Sequence, residues 1–183
     1  MIHKLVPFLR HNDSLEILAS AFLNETSLIL NYKLQGNLNS IKLPKKNELK
    51  REIGLWETTC FEFFLLNDFD KSYYEFNFSP SGKWNCFFFK NQGDPLKEAE
   101  CRVNNFECIT EENNFEMRIE LDMTSLGQSF RRVDEFKMNL TTVIDSDSLS
   151  YWALEHGKER PNFHDFKYYA KIKKSGNKPK LVT

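Results

Sequence analysis

Ten short runs, each bounded by turn residues, dominate this chain, and three of them set its fold: TTCFEFFLL (58–66), YYEFNFS (73–79) and KWNCFFF (83–89). They are too short for helices that bury this many aromatics, and too rich in large flat side chains for loops. The other runs are LEILASAFL (15–23), SLILNYKLQG (27–36), CRVNNFECIT (101–110), FEMRIEL (115–121), FKMNLTTVI (136–144), SYWALEH (150–156) and FKYYAKI (166–172). Asn24-Glu25-Thr26 makes the first two a hairpin, and Pro80-Ser81-Gly82 turns the chain between 73–79 and 83–89. About ten strands with turns between them predict an all-β antiparallel sandwich or barrel. The 17 phenylalanines against 7 glycines point the same way.

Little in the chain departs from strands. DMTSLGQ (122–128) predicts one short helix, capped by Asp122 and closed by Gly127. GNLNSIKLPKKNELKREIG (36–54) is long for a plain connection, and KKNELKRE within it has the composition for a helical turn or two. Segments of this length often carry function or cover a sheet edge. With 183 residues, no internal repeat and no second hydrophobic pattern, the expectation is one domain over 1–183, with a basic, ragged tail from about residue 174.

A net charge of −1 gives no field that would draw nucleic acid or an anionic membrane. The basic clusters 42–52 and 167–180 read as a solvated loop and a tail, without the aromatic interleaving that base stacking needs. No run approaches the ~20 apolar residues of a membrane span, and MIHKLVPFLRHND lacks the pattern of an export signal. Cysteines 60, 86, 101 and 108 match no zinc spacing. Together these predict a cytoplasmic protein with reduced thiols.

Strand parity then assigns faces. Phe61, Phe63 and Leu65 share one side, and Cys60, Glu62 and Phe64 the other; Tyr74, Phe76 and Phe78 oppose Tyr73, Glu75 and Asn77. A two-residue turn at Pro80-Ser81 would set Asn77 opposite Trp84 and Glu75 opposite Cys86, so that Glu75, Asn77 and Trp84 line one surface. In SYWALEH, Trp152, Leu154 and His156 project together, with Arg160 free to curl over them from the loop after Gly157. An aromatic plate, an imidazole and a guanidinium suit a polyhydroxylated or carboxylated ligand. The same residues also read as a core tryptophan and a surface histidine beside a turn.

The stretches LWETTCFEFFL (55–65), YYEFNFSPSGKW (73–84) and YWALEHGKERPNFH (151–164), preceded by LILNYKLQGNLNSIKLP (28–44), resemble the DOMON-like domains. The likeness is strongest to a bacterial branch near the family 9 carbohydrate-binding modules and covers nearly the whole chain. It implies a jelly-roll-like β-sandwich with a ligand surface on one sheet or at its rim and a binding role, to sugars or to haem in various relatives, with no established chemistry. The expectation for this chain is a small polar ligand such as a saccharide, and no cofactor. Carried over by motif, the ligand-binding candidates are Glu62, Glu75, Asn77, Trp84, Trp152, His156 and Arg160.

Other chemistries have weaker footholds. Haem-binding relatives use an axial Met with His or Lys, and Met117 with His156 is such a pair only in principle. A structural calcium has a candidate in Asp145-Ser146-Asp147. His156 and His164, separated by a Gly/Pro loop, are candidate metal ligands, though not in the helical arrangement that aligns two imidazoles. An enzyme acting on a sugar-related metabolite would use Glu62 and Glu75 as acid and base, provided their strands pair. A protein-interaction module remains a further reading.

Overall fold

The computed structural model describes residues 1–9 and 15–176. Over these residues the strands are β1 (Ile2–Lys4), β2 (Val6–Pro7), β3 (Leu15–Leu23), β4 (Ser27–Gly36), β5 (Lys50–Arg51), β6 (Cys60–Leu66), β7 (Tyr73–Phe78), β8 (Lys83–Phe89), β9 (Val103–Glu111), β10 (Asn114–Asp122), β11 (Glu135–Asp145), β12 (Leu149–Ala153) and β13 (Ala170–Lys173). Without the edge fragments β1, β2 and β5, these are the ten runs read from the sequence. They form two sheets. The first has the order β1-β3-β4-β10-β9; the second has the order β2-β12-β11-β6-β7-β8-β5, with β13 also on β11. All pairings are antiparallel except β5 with β8. The protein is a β-sandwich.

The core lies between the sheets. Phe61, Phe63 and Leu65 of β6 and Phe76 and Phe78 of β7 meet Tyr32, Phe115, Met117 and Ile119 from the first sheet. Phe61 stacks on Phe115 at 5.4 Å, and the Tyr32 hydroxyl crosses the core to donate to the Glu62 carbonyl at 2.5 Å. Burying one such phenylalanine contributes about 1.5–3 kcal/mol.

The two sheets differ on their outer sides. In the first, β10 alternates buried and half-buried residues, as a strand wet on one face must. In β6 and β7 every residue is buried, which explains runs as continuous as CFEFFLL and YYEFNF. The second sheet carries an outer apolar layer of Phe64, Leu66, Tyr73, Phe87, Phe89 and Tyr169, covered in part by Trp56, Phe163 and Phe166.

Three local expectations are corrected. First, the segment 37–54 forms no helical turn. After a turn at Asn39-Ser40 it reaches β5, which lies parallel along the edge of β8, held by Arg51, which donates to Asn85 Oδ1 at 2.9 and 3.1 Å and to the Ala99 carbonyl at 2.8 Å. At the crossing, Gly82 has φ 91°, and a Cβ there would lie 2.7 Å from the Glu48 carbonyl oxygen, so only glycine fits.

Second, the helix near 122–128 is split. Asp122 accepts from Thr124 N at 2.8 Å and caps a single 3-10 turn over Met123–Ser125, while Gly127 opens α1 (Gln128–Arg132) instead of closing a helix. Third, the last strand starts at Ala170, because Asp165 caps a 3-10 turn over Phe166–Tyr168. The tail expected from residue 174 begins with Lys174 N donating to Asp134 and Ser175 N donating to Leu23; beyond Gly176 it lies outside the described residues.

Candidate functional site

The outer face of the second sheet is apolar except for a polar band across its middle. Thr141, Glu62, Asn77 and Asn85 stand directly opposite one another on β11, β6, β7 and β8. In the neighbouring row Asn139 opposes Phe64, which opposes Glu75, which opposes Phe87. Directly opposed residues share a face, so Glu62, Glu75, Asn77, Asn139 and Thr141 form one cluster on a surface otherwise built of phenylalanine and tyrosine.

After β12 the chain folds back across this face. Tyr169 donates to the Phe163 carbonyl at 3.0 Å, and Gln92 donates to the His164 carbonyl at 2.7 Å. The His164 ring is packed edge-on against Phe64, Tyr73 and Phe89, with Nδ1 2.9 Å from the Tyr73 hydroxyl. With Tyr73 donating to Nδ1, the ring proton sits on Nε2, which lies 3.7 Å from Glu75 Oε2. Between this crossing segment and the sheet lies a hollow of about 370 Å³, lined by Trp56, Glu62, Glu75, Tyr151, Phe163 and His164 among others. That volume is in the range of small-molecule sites.

The carboxyls are unusual in their surroundings. Glu62 is 3% exposed and Glu75 5%. Burial pushes the Glu62 carboxyl well above its ordinary range and the neighbouring Glu75 adds to this, while a 3.3 Å hydrogen bond from the Thr141 hydroxyl opposes it. Burial raises Glu75 to about 7, against the pull of the Asn77 amide, which donates to Oε1 at 2.7 Å. Burial also lowers His164. Three buried atoms on this face, Glu75 Oε2, Asn77 Oδ1 and Asn139 Oδ1, have no hydrogen-bond partner. Each such atom costs about 1–3 kcal/mol if left unpaired, and natural proteins leave few.

A depression of similar size, about 290 Å³, lies on the outer face of the first sheet. Its polar groups are already paired: Lys33 with Glu116 at 2.8 Å, and Arg118 with Asn31 at 3.1 Å. One unpaired buried acceptor, Asn114 Oδ1, stands on that face of β10, but it does not line the depression; among the described residues, the group of three such acceptors beside buried carboxyls is on the second sheet.

Of the candidates read from the sequence, the structure brings Glu62, Glu75 and Asn77 together; the other four lie outside that cluster, although His156 packs on Phe163 of the hollow's wall at 6.2 Å. Trp84 is 7% exposed and faces the core, under the Arg51 guanidinium at 5.0 Å. The turn after β7 holds three residues, Pro80 to Gly82, instead of two, with Ser79 N donating to the Lys83 carbonyl at 2.8 Å, so Phe78 opposes Trp84, Asn77 opposes Asn85 and Glu75 opposes Phe87. That single-residue difference reverses the faces of β8.

Trp152 is 4% exposed and also faces the core, opposite Thr142 and with its indole N–H donated to Ser150 at 3.0 Å; its neighbour Tyr151 takes the outer face. His156 is half-buried beside Phe8, with Nε2 3.0 Å from the Val6 carbonyl oxygen, and burial lowers its pKa. Arg160 is exposed at a neighbouring depression of about 460 Å³ that meets the hollow at Asn162.

The metal and haem candidates fare differently. Among the described residues no group of three or more His, Cys, Asp and Glu converges on one point. Met117 is a core residue of the first sheet, whereas His156 is bonded to β2. The Asp145 carboxylate is taken by Lys42 at 2.9 Å. Among the contributors that escaped the sequence reading of the ligand face are Trp56, Asn139, Tyr151, Phe163 and, as a ligand-face residue, His164.

Comparison with solved structures places the fold. A Bacteroides uniformis protein whose suggested role is carbohydrate binding superposes with a TM-score of 0.61 at 14% identity, covering 96% of this chain and 86% of its own. A family 9 carbohydrate-binding module from Caldicellulosiruptor kristjanssonii, determined with cellotriose, gives 0.54 at 7% identity over 100% of this chain and 86% of that one. A family 9 module from the same organism, determined with glucose, gives 0.50 at 8% identity, covering 95% and 84%. The likeness is one of fold. No family model matches the sequence, and no curated protein does.

Proposed function

We propose that this chain is a carbohydrate-binding domain, related to the DOMON-like and family 9 folds, that takes a saccharide into the hollow on the outer face of its second sheet. The observation that carries this reading is the set of buried, unpartnered acceptors on one sheet face beside an aromatic-walled hollow. Sugar hydroxyls are donors of the right kind for Glu75, Asn77 and Asn139, and the C–H faces of a pyranose suit the rings of Trp56, Tyr151 and Phe163. That structures of the same fold were determined with glucose and cellotriose supports the ligand class.

Calorimetric titration with glucose and cellotriose tests the proposal. The wild-type chain is expected to bind saturably, and Trp56→Ala to weaken binding about tenfold or more, equivalent to ~1.4 kcal/mol, while thermal unfolding shifts by only a few degrees. No heat with either sugar, or full affinity in Trp56→Ala, would count against it.

A second reading, acid–base chemistry on a sugar-related substrate, has one observation in its favour: the pKa of Glu75 near 7, the range a general base or acid needs. Turnover that vanishes in Glu75→Gln while binding persists would favour that reading.

A further inference from the structure

The two carboxyls of the hollow stand side by side with no cation beside them. Glu62 and Glu75 are both almost wholly buried, and the apolar layer around them includes Phe64 and Phe87. Three basic side chains around this sheet are engaged elsewhere, Arg51 with Asn85 and Ala99, Lys42 with Asp145, and Lys137 with Asp68 at 3.0 Å, while Arg160 is exposed at the neighbouring depression. Among the described residues Glu75 has an ion-pair contact with His164 alone, at 3.7 Å and outside hydrogen-bond range. Removing one carboxylate from water without a partner is costly, and removing two side by side more so. Without a cation such carboxyls hold protons instead of charge, and neutral hydroxyls leave that unchanged, whereas a bound cation lets Glu75 ionise.

Resting on the carbohydrate-binding reading, we propose that the preferred ligand carries a protonated amine, as an amino sugar does, and that Glu75 Oε2 receives the ammonium group. An ammonium brings three donors and the missing positive charge. It would stand within the ring of Glu75 and Asn77 acceptors, with Glu62 behind them and His164 as the wall facing Glu75. Charge-assisted hydrogen bonds in such surroundings are about twice as strong as neutral ones, so discrimination against the hydroxyl analogue of about tenfold or more is expected.

The experiment is competitive titration of the wild-type chain at pH 7 with glucosamine, glucose and N-acetylglucosamine, repeated on Glu75→Gln. The expected result is glucosamine bound about tenfold or more tightly than glucose, N-acetylglucosamine no better than glucose, and a preference for the amine that collapses in Glu75→Gln. Equal affinity for glucosamine and glucose would overturn the inference and leave the sugar reading standing, because the two carboxyls would then share a proton and accept hydroxyls. A preference for glucosamine undiminished in Glu75→Gln would also overturn it, since the amine would then be held elsewhere. Silence with all three sugars would overturn both. Circular dichroism of the variant confirms that it is folded.

Discussion

Trp152→Ala is expected to cost about 3–5 kcal/mol of folding stability, the range for deleting a large aromatic from a packed core. For a chain of this size that lowers the melting temperature by ~10 °C. At temperatures where the variant is folded, its sugar affinity should stay within a few-fold of wild type. The reason is geometric: Trp152 stands on the side of β12 that faces Thr142 and the interior, and its indole N–H is satisfied by Ser150. Trp56 makes the complementary case, half-buried at the hollow with one edge-on contact to Phe87 at 6.0 Å. Thermal melts and sugar titrations on Trp152→Ala and Trp56→Ala should therefore separate cleanly, one losing stability and the other affinity. A stable Trp152→Ala that no longer binds would reverse the two assignments.

The second large effect is a stability that depends on pH. In the folded chain Glu75 keeps its proton up to about pH 7, against 4.5 for the free group. Between those values the folded chain binds more protons than the unfolded one, so stability falls as pH rises. The loss attributable to Glu75 is on the order of 3 kcal/mol by pH 8. Glu75→Gln removes it: the variant should match wild type near pH 5 and exceed it increasingly through pH 7 to 8.

Other groups facing Glu75 shape the profile. Glu62 shifts in the same direction as Glu75. Tyr73 and Tyr169 are raised and stay neutral over this range. His164, lowered by burial, works in the opposite sense, adding stability as pH rises toward 6.5. Urea unfolding of both proteins from pH 5 to 8 checks the prediction. Parallel curves would mean that Glu75 is ionised in the folded chain, with a partner that neutralises it.

The pattern of what could be read in the sequence has physical causes. The faces of β6 and β7 follow from parity, because each run is short and bounded by clear turns; Glu62, Glu75 and Asn77 come together for that reason. The face of β8 does not follow, since Pro80-Ser81-Gly82 announces a turn without counting its residues, and one extra residue sends Trp84 inward. In β12 the alternation of Tyr151 and Trp152 is right, but the strand ends at Ala153, so Leu154 and His156 lie beyond it instead of continuing the face of Trp152, and the sense is not fixed by composition. The second sheet is apolar on both sides, so a tryptophan suits either face, and the choice falls to the pairing with β11. Trp56 lies off the strands, on a one-turn 3-10 helix over Leu55–Glu57, where no periodicity points to it. Asn139 reveals itself only once β11 is known to pair with β6. The hollow itself depends on residues 154–169 crossing the sheet, held by tertiary contacts of His164, Phe163 and Tyr169 that no local pattern encodes.

The central claim is that the outer face of the second sheet is where the ligand sits. Nuclear magnetic resonance mapping of amide and tryptophan indole signals during titration with glucosamine and with glucose tests it most directly. The account predicts dose-dependent shifts at Trp56, Glu62, Glu75, Tyr151 and His164, with the indole of Trp152 and the outer face of β4 and β10 undisturbed. Shifts confined to Asn31, Lys33, Glu116 and Arg118 would contradict it and move the site to the other side of the sandwich.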